Sequence, residues 1–239
     1  MDTYIPYCGA PPLPADLWSR WLLDPFLLTG LAVALVIGLY VARDRLRLSL
    51  GWALVVILFV SPLCAASMAL FSARVAQHIL LTFVAAPLIA AALPRYRLPA
   101  LPVAVVFAGL FWFWHAPAPY QATLSSDLIY WAMHISLFAA ATALFAALRG
   151  KPEHGLPAAA LTGAQMTAYA VMLTLSPVPW HDFHLATTLP YGLGPLADQQ
   201  LAGALMWVVG GLFFLVVIGT LAFRFVQRGA SEQRPLGAE

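Results

Sequence analysis

The chain has 239 residues, of which 62% are hydrophobic and 9% charged, with a formal net charge of +2. So little polar surface cannot cover a water-soluble domain of this size, and the main solvent must be lipid. The Lys and Arg residues form no cluster dense enough to neutralise a row of phosphates, which argues against a nucleic-acid partner.

In chain order, residues 1–25 hold Pro6, Pro11, Pro12 and Pro14 and no basic region leading into an apolar core. They read as an external arm carrying Cys8, not as a cleavable signal. Seven apolar stretches follow, at about 26–42, 48–68, 75–93, 99–115, 127–148, 157–176 and 200–223. Each approaches the roughly 20 residues that a helix needs to cross a hydrocarbon core. They are apolar on every side, unlike the alternating strands of a membrane barrel, so the expected fold is an all-α bundle of seven transmembrane helices, residues 26–223.

Charge sets the expected orientation. Arg43, Arg45 and Arg47 follow the first stretch, Arg95 and Arg97 the third, Arg149 and Lys151 the fifth, and Arg224, Arg228 and Arg234 the last. By the positive-inside rule these segments are cytoplasmic, which places the N-terminus outside, the C-terminal tail 224–239 inside, and the protein in a bacterial inner membrane as a multi-pass chain. Arg20 and Arg74 fall on the outer side, each expected to snorkel to the headgroups. Pro87 should kink the third span, and Gly203, Gly210 and Gly211 suit close packing of the last. The longest loop, 177–199, holds His181 and His184, expected as exposed residues of a plain connection.

Ionisable groups inside a membrane cost at least about 2.5 kcal/mol and need a partner or a task. His78, His115 and His134 lie near the outer ends of the third, fourth and fifth spans, whose chain directions differ. Three imidazoles from three helices would form a compact site for copper, zinc or haem iron. Against that stands the plainer role of a single membrane histidine, a hydrogen bond to a neighbouring carbonyl or hydroxyl. Cys64 and Met68, spaced i and i+4, Met133, Met172 and Met206 collect toward the same side, with core packing the alternative for each Met. Cys8 and Cys64 would face an oxidising compartment as a disulfide, as a thiolate pair receiving metal from a periplasmic donor, or as unrelated thiols. Asp198 opens the last span, where it can cap the first turn or orient an imidazole ligand. No phosphate-binding loop, dinucleotide fingerprint or nucleophile elbow occurs, so an enzyme is not expected.

Several of these residues carry a resemblance. Ala76-Gln77-His78 running to Ala86-Pro87-Leu88, Trp112-Phe113-Trp114-His115-Ala116-Pro117, Met133-His134, and Asp198-Gln199-Gln200-Leu201-Ala202-Gly203 with Met206-Trp207 resemble the polytopic CtaG family of cytochrome c oxidase assembly factors. The resemblance implies a role in maturing haem–copper oxidase by supplying or positioning copper, as Cu(I), for the oxidase subunit that carries the copper site. A haem-binding membrane protein and a metal-free assembly scaffold are the alternatives.

Overall fold

The structure is a computed structural model that describes residues 4–232; Arg234 lies outside them. Among the described residues there are ten α-helices, short 3-10 turns and no strand. Helix α1 spans Pro25–Val41, α2 Arg45–Val60, α3 Pro62–Ala69, α4 Phe71–Leu80, α5 Ala86–Ala92, α6 Ala100–His115, α7 Pro117–Thr123, α8 Asp127–Leu148, α9 Pro152–Leu175 and α10 Pro195–Glu232.

Four segments are each long and apolar enough to cross a membrane: 71–92, α8, α9 and α10. Two more qualify as bent pairs, α2 with α3 at 53° and α6 with α7 at 77°, whereas α1 is apolar but only 17 residues long. The breaks follow from the sequence. Pro62 and Pro117 each occupy a first helical position, where the missing N–H costs nothing, and the residues before them, Ser61 and Ala116, are extended, as the proline ring requires.

Within 71–92 the path is continuous but not uniform. Leu81–Ala85 forms a π-helical turn, and Pro87 is the second residue of α5 just beyond it. The expected kink is thus taken up as a widened turn, which moves the proline ring off the preceding carbonyls. Thr82 Oγ1 donates back to the His78 carbonyl at 2.6 Å, satisfying an oxygen beside the widened turn.

Two ends of the bundle can be distinguished by contact. At one, Arg43 N donates to the Ala92 carbonyl, Arg149 Nη1 donates to the carbonyls of Ala90 and Leu93, and Arg224 Nη2 donates to that of Gly150. The basic segments picked out in the sequence therefore share one end. At the other lie the arm, the α3 and α7 elbows and the 176–194 loop. Cys8 and Cys64 are joined there in a disulfide with Cα atoms 5.4 Å apart. Tyr7 donates to Asp24 at 3.0 Å, Tyr4 donates to Asp127, and Tyr191 donates to the Pro12 carbonyl at 3.0 Å.

Close helix contact depends on small residues at defined places. A Cβ on Gly203 would lie 2.8 Å from the Ala170 carbonyl oxygen, so α9 and α10 meet backbone to backbone there. Gly51 does the same for α2, where a Cβ would lie 2.8 Å from Ile89 and 3.1 Å from the Ala85 carbonyl. Gly210 sits beside Phe83, while Gly211 meets only its own helix.

The last helix departs from expectation at both ends. It begins at Pro195, not near 200, and continues through Glu232, so the described part of the basic tail is helical.

Candidate metal centre

The three spans carrying His78, His115 and His134 bring their imidazoles toward one interior point. His78 Nε2 and His134 Nε2 are 3.2 Å apart, and the His115 ring lies edge-on to that of His78 with centroids 6.1 Å apart. Phe59 packs edge-on to His134, and Tyr130 packs at 4.2 Å from it.

The proton positions follow from the partners. His134 Nδ1 is 2.9 Å from the Tyr130 carbonyl, and His115 Nδ1 is 2.7 Å from the Phe111 carbonyl. A carbonyl only accepts, so both histidines carry hydrogen on Nδ1 and keep a bare lone pair on Nε2. This is the plain hydrogen bond foreseen for a lone membrane histidine, yet it occupies one ring nitrogen and presents the other. The same arrangement orients imidazole ligands in metal sites. With no ion between them, His78 must donate its Nε2 hydrogen to His134.

Two imidazole nitrogens bound to one ion at about 2.0 Å stand roughly 3.3 Å apart at a tetrahedral angle. The His78–His134 separation fits that requirement without movement of either helix. A cavity of about 20 Å³ lies between His78 and His115, lined also by Met166 and Met206 among mostly apolar side chains; His134 does not line it. It is large enough for a single small ion or water and far too small for a porphyrin. Among the described residues, no three His, Cys, Asp or Glu side chains converge as a metal cage. A third donor would have to be His115 after a small shift or a thioether such as Met206.

The remaining sequence candidates are distributed around this pair. Met133 precedes His134 and places its sulfur 3.9 Å from Arg74 Nη2. Met68 is fully buried, and Met172 is exposed. The Cys8 and Cys64 sulfurs are bonded to each other and lie within 3.8 Å of the Tyr130 hydroxyl, so the disulfide is the arrangement adopted, and neither sulfur is a thiolate. Asp198 is fully buried, but its carboxylate accepts from Phe71 N at 2.6 Å, from Ser72 N at 3.3 Å and from the Ser72 hydroxyl. It caps α4 from a different helix, and no imidazole reaches it.

Two expectations are corrected. His181 and His184 are 5% and 3% exposed, not solvated. The 176–194 loop folds inward as a cap, with His181 stacked on Tyr120 at 3.9 Å and against Phe71 at 4.7 Å. His184 Nε2 meets the Tyr120 hydroxyl at 2.7 Å, while Thr187 donates to the Ala69 carbonyl. Gln199 holds the loop in place by accepting from Trp180 N and donating to the carbonyls of Leu173 and Val178. Burial pushes both loop histidines down to about 3, with the neighbouring His184 and His115 acting further on His181 and Arg74 on both.

Arg74 is the second correction. It does not snorkel: it is 1% exposed, with Nη2 donating to Thr123 Oγ1 at 2.6 Å and its guanidinium over the Tyr120 ring at 4.7 Å. Its place near a span end reads in the sequence as a headgroup anchor, although its i, i+4 spacing from His78 marks both for one helix face. Nothing in the pattern announced Tyr120, Tyr130 or Thr123 as its neighbours.

The fold and site define a multi-pass helical membrane protein with a histidine pair between its helices, His134 buried and His78 partly so. The chain matches the family model described as cytochrome c oxidase caa3 assembly factor (Caa3_CtaG) over residues 46–105 and 98–228. It belongs to that family, and cytochrome c oxidase is therefore its indicated partner. No curated protein and no solved structure matches the chain.

Proposed function

We propose that this assembly factor binds copper as Cu(I) at His78 and His134, with His115 or Met206 as a further donor, and helps deliver it to the oxidase subunit that carries the copper site. The observation that carries the reading is the 3.2 Å approach of two Nε2 atoms, with the His134 lone pair fixed by its Nδ1 bond. Neutral imidazole and thioether donors in a site without carboxylates suit a soft monovalent ion. The ion would take the place of the hydrogen shared by the pair, and His78 would stay neutral by carrying its hydrogen on Nδ1.

The same reading includes seven spans in a bacterial inner membrane, with α1 as the short first span, the arm and cap outside, and the arginine-bearing end in the cytoplasm. The shared basic end supports it through the positive-inside rule. The histidine pair would then lie in the outer half of the bilayer, within reach of a periplasmic copper donor that hands over past the cap.

A metal-free scaffold is the second reading, favoured by the lack of a three-residue His, Cys, Asp or Glu cage among the described residues. Metal analysis and the visible spectrum of detergent-purified protein after anaerobic Cu(I) loading and desalting separate the two. About one retained copper, lost in His78→Ala and His134→Ala, is the expected result. No retained metal would leave the scaffold, and a Soret band would indicate haem.

A further inference from the structure

The geometry points to Arg74 as the residue that makes this centre selective for a monovalent ion over a divalent one. The inference rests on the histidine pair being a metal site, and it goes beyond that reading by assigning the charge rule of the site to a single side chain outside the ligand set.

A guanidinium carries a fixed positive charge, and burying one normally demands a carboxylate. Arg74 has none. The ion pairs among the described residues are Arg47–Asp44 and Arg228–Glu153, both near the other end of the bundle. The buried carboxylate of Asp198 is occupied by Phe71 and Ser72. The groups in direct contact with the guanidinium are neutral, namely the Thr123 hydroxyl, the Met133 sulfur and the faces of Tyr120 and Tyr130, while Nε and Nη1 are buried without a partner. Ring faces stabilise a cation but do not cancel its charge.

Arg74 lies one helical turn from His78 on the same face of α4, and its Nη2 is 3.9 Å from the sulfur of Met133, the residue beside His134. One helical turn between the two side chains puts an ion held by the pair on the order of 7 Å from a positive charge that no carboxylate pairs directly. At that distance and an effective dielectric of about 20, each unit of ionic charge costs roughly 50-fold in affinity. A divalent ion bears the factor twice and a monovalent ion once. The expected selection by charge alone is roughly 50-fold, in a centre whose donors are all neutral.

The test is the ratio of Cu(I) to Zn(II) affinity, measured on the full-length protein in detergent by competition with chromophoric chelators. Arg74→Gln removes the charge and should shift the ratio toward Zn(II) by roughly 50-fold, while Arg74→Lys keeps the charge and should leave the ratio as in the parent. Thr123→Asp is an independent route, because it sets a carboxylate against the guanidinium with Arg74 still present, and it should shift the ratio in the same direction. An unchanged ratio in both Arg74→Gln and Thr123→Asp, with Cu(I) still bound, would overturn the assignment and leave the copper reading intact. Failure of the parent protein to bind either ion would overturn both, and His78→Ala distinguishes that case by losing nothing further.

Discussion

Asp198→Ala is the substitution most sharply defined by the structure. The carboxylate is fully buried and accepts three hydrogen bonds, from the backbone amides of Phe71 and Ser72 and from the Ser72 hydroxyl. Those amides open α4, where four N–H groups have no partner within the helix and the helix dipole favours an anion. Alanine would orphan both amides and the hydroxyl away from water. At about 1–2 kcal/mol for each of the three groups left unsatisfied, the expected loss is about 3–6 kcal/mol. Asp198→Asn keeps one acceptor oxygen and should lose about half as much. Ser72→Ala removes only the hydroxyl donor and should cost about 1 kcal/mol, with strong non-additivity when combined with Asp198→Ala. Equilibrium unfolding in mixed detergent, followed by tryptophan fluorescence, measures all four proteins. A stability within 0.5 kcal/mol of the parent for Asp198→Ala would refute the view that this residue joins α10 to α4.

The disulfide joins residues separated by 56 positions, so Cys8→Ser or Cys64→Ser should cost about 4 kcal/mol by loop-closure entropy. Thiol labelling of the denatured parent before and after reduction checks the bond itself, and labelling without reduction would contradict it. The cap should loosen in acid. His181 and His184 have folded values of about 3 against 6.5 when unfolded, so the unfolded loop binds more protons between those limits and stability falls as pH drops below about 6.5 toward 3. Limited proteolysis of residues 177–194 across that range reads the opening, and a cleavage rate independent of pH would count against buried neutral histidines. Gly203→Val forces a side chain into the Ala170 carbonyl and should separate α9 from α10 at a cost of about 2 kcal/mol or more, whereas Gly211→Val, which faces only its own helix, should be nearly neutral. Melting temperatures of the two variants in the same detergent decide the point.

Much of this protein is legible in its sequence, for reasons that are local. Apolar runs of membrane length dictate helices because lipid leaves backbone groups no other partner. Pro87 marks the widened turn because a proline ring acts on its own immediate backbone, whereas Pro62 breaks the span expected to run unbroken over 48–68. The grouping of arginines at one end and the candidacy of His78, His115 and His134 follow from composition along the chain and from the cost of polar groups at depth. What pattern could not supply was contact between distant segments. The 3.2 Å meeting of His78 with His134 depends on how α4 and α8 rotate about their axes: α8 is apolar all round and carries no stripe to fix its rotation, and the polar face of α4 does not say which helix it meets. His181 and His184 looked solvated because polar loop residues usually are; only the tertiary structure folds that loop back over Tyr120 and Phe71. Arg74 looked like a headgroup anchor because its charge is local information, while the missing carboxylate is a property of everything packed around it. Burial converts the same residues from surface chemistry to site chemistry, and burial belongs to the assembled bundle.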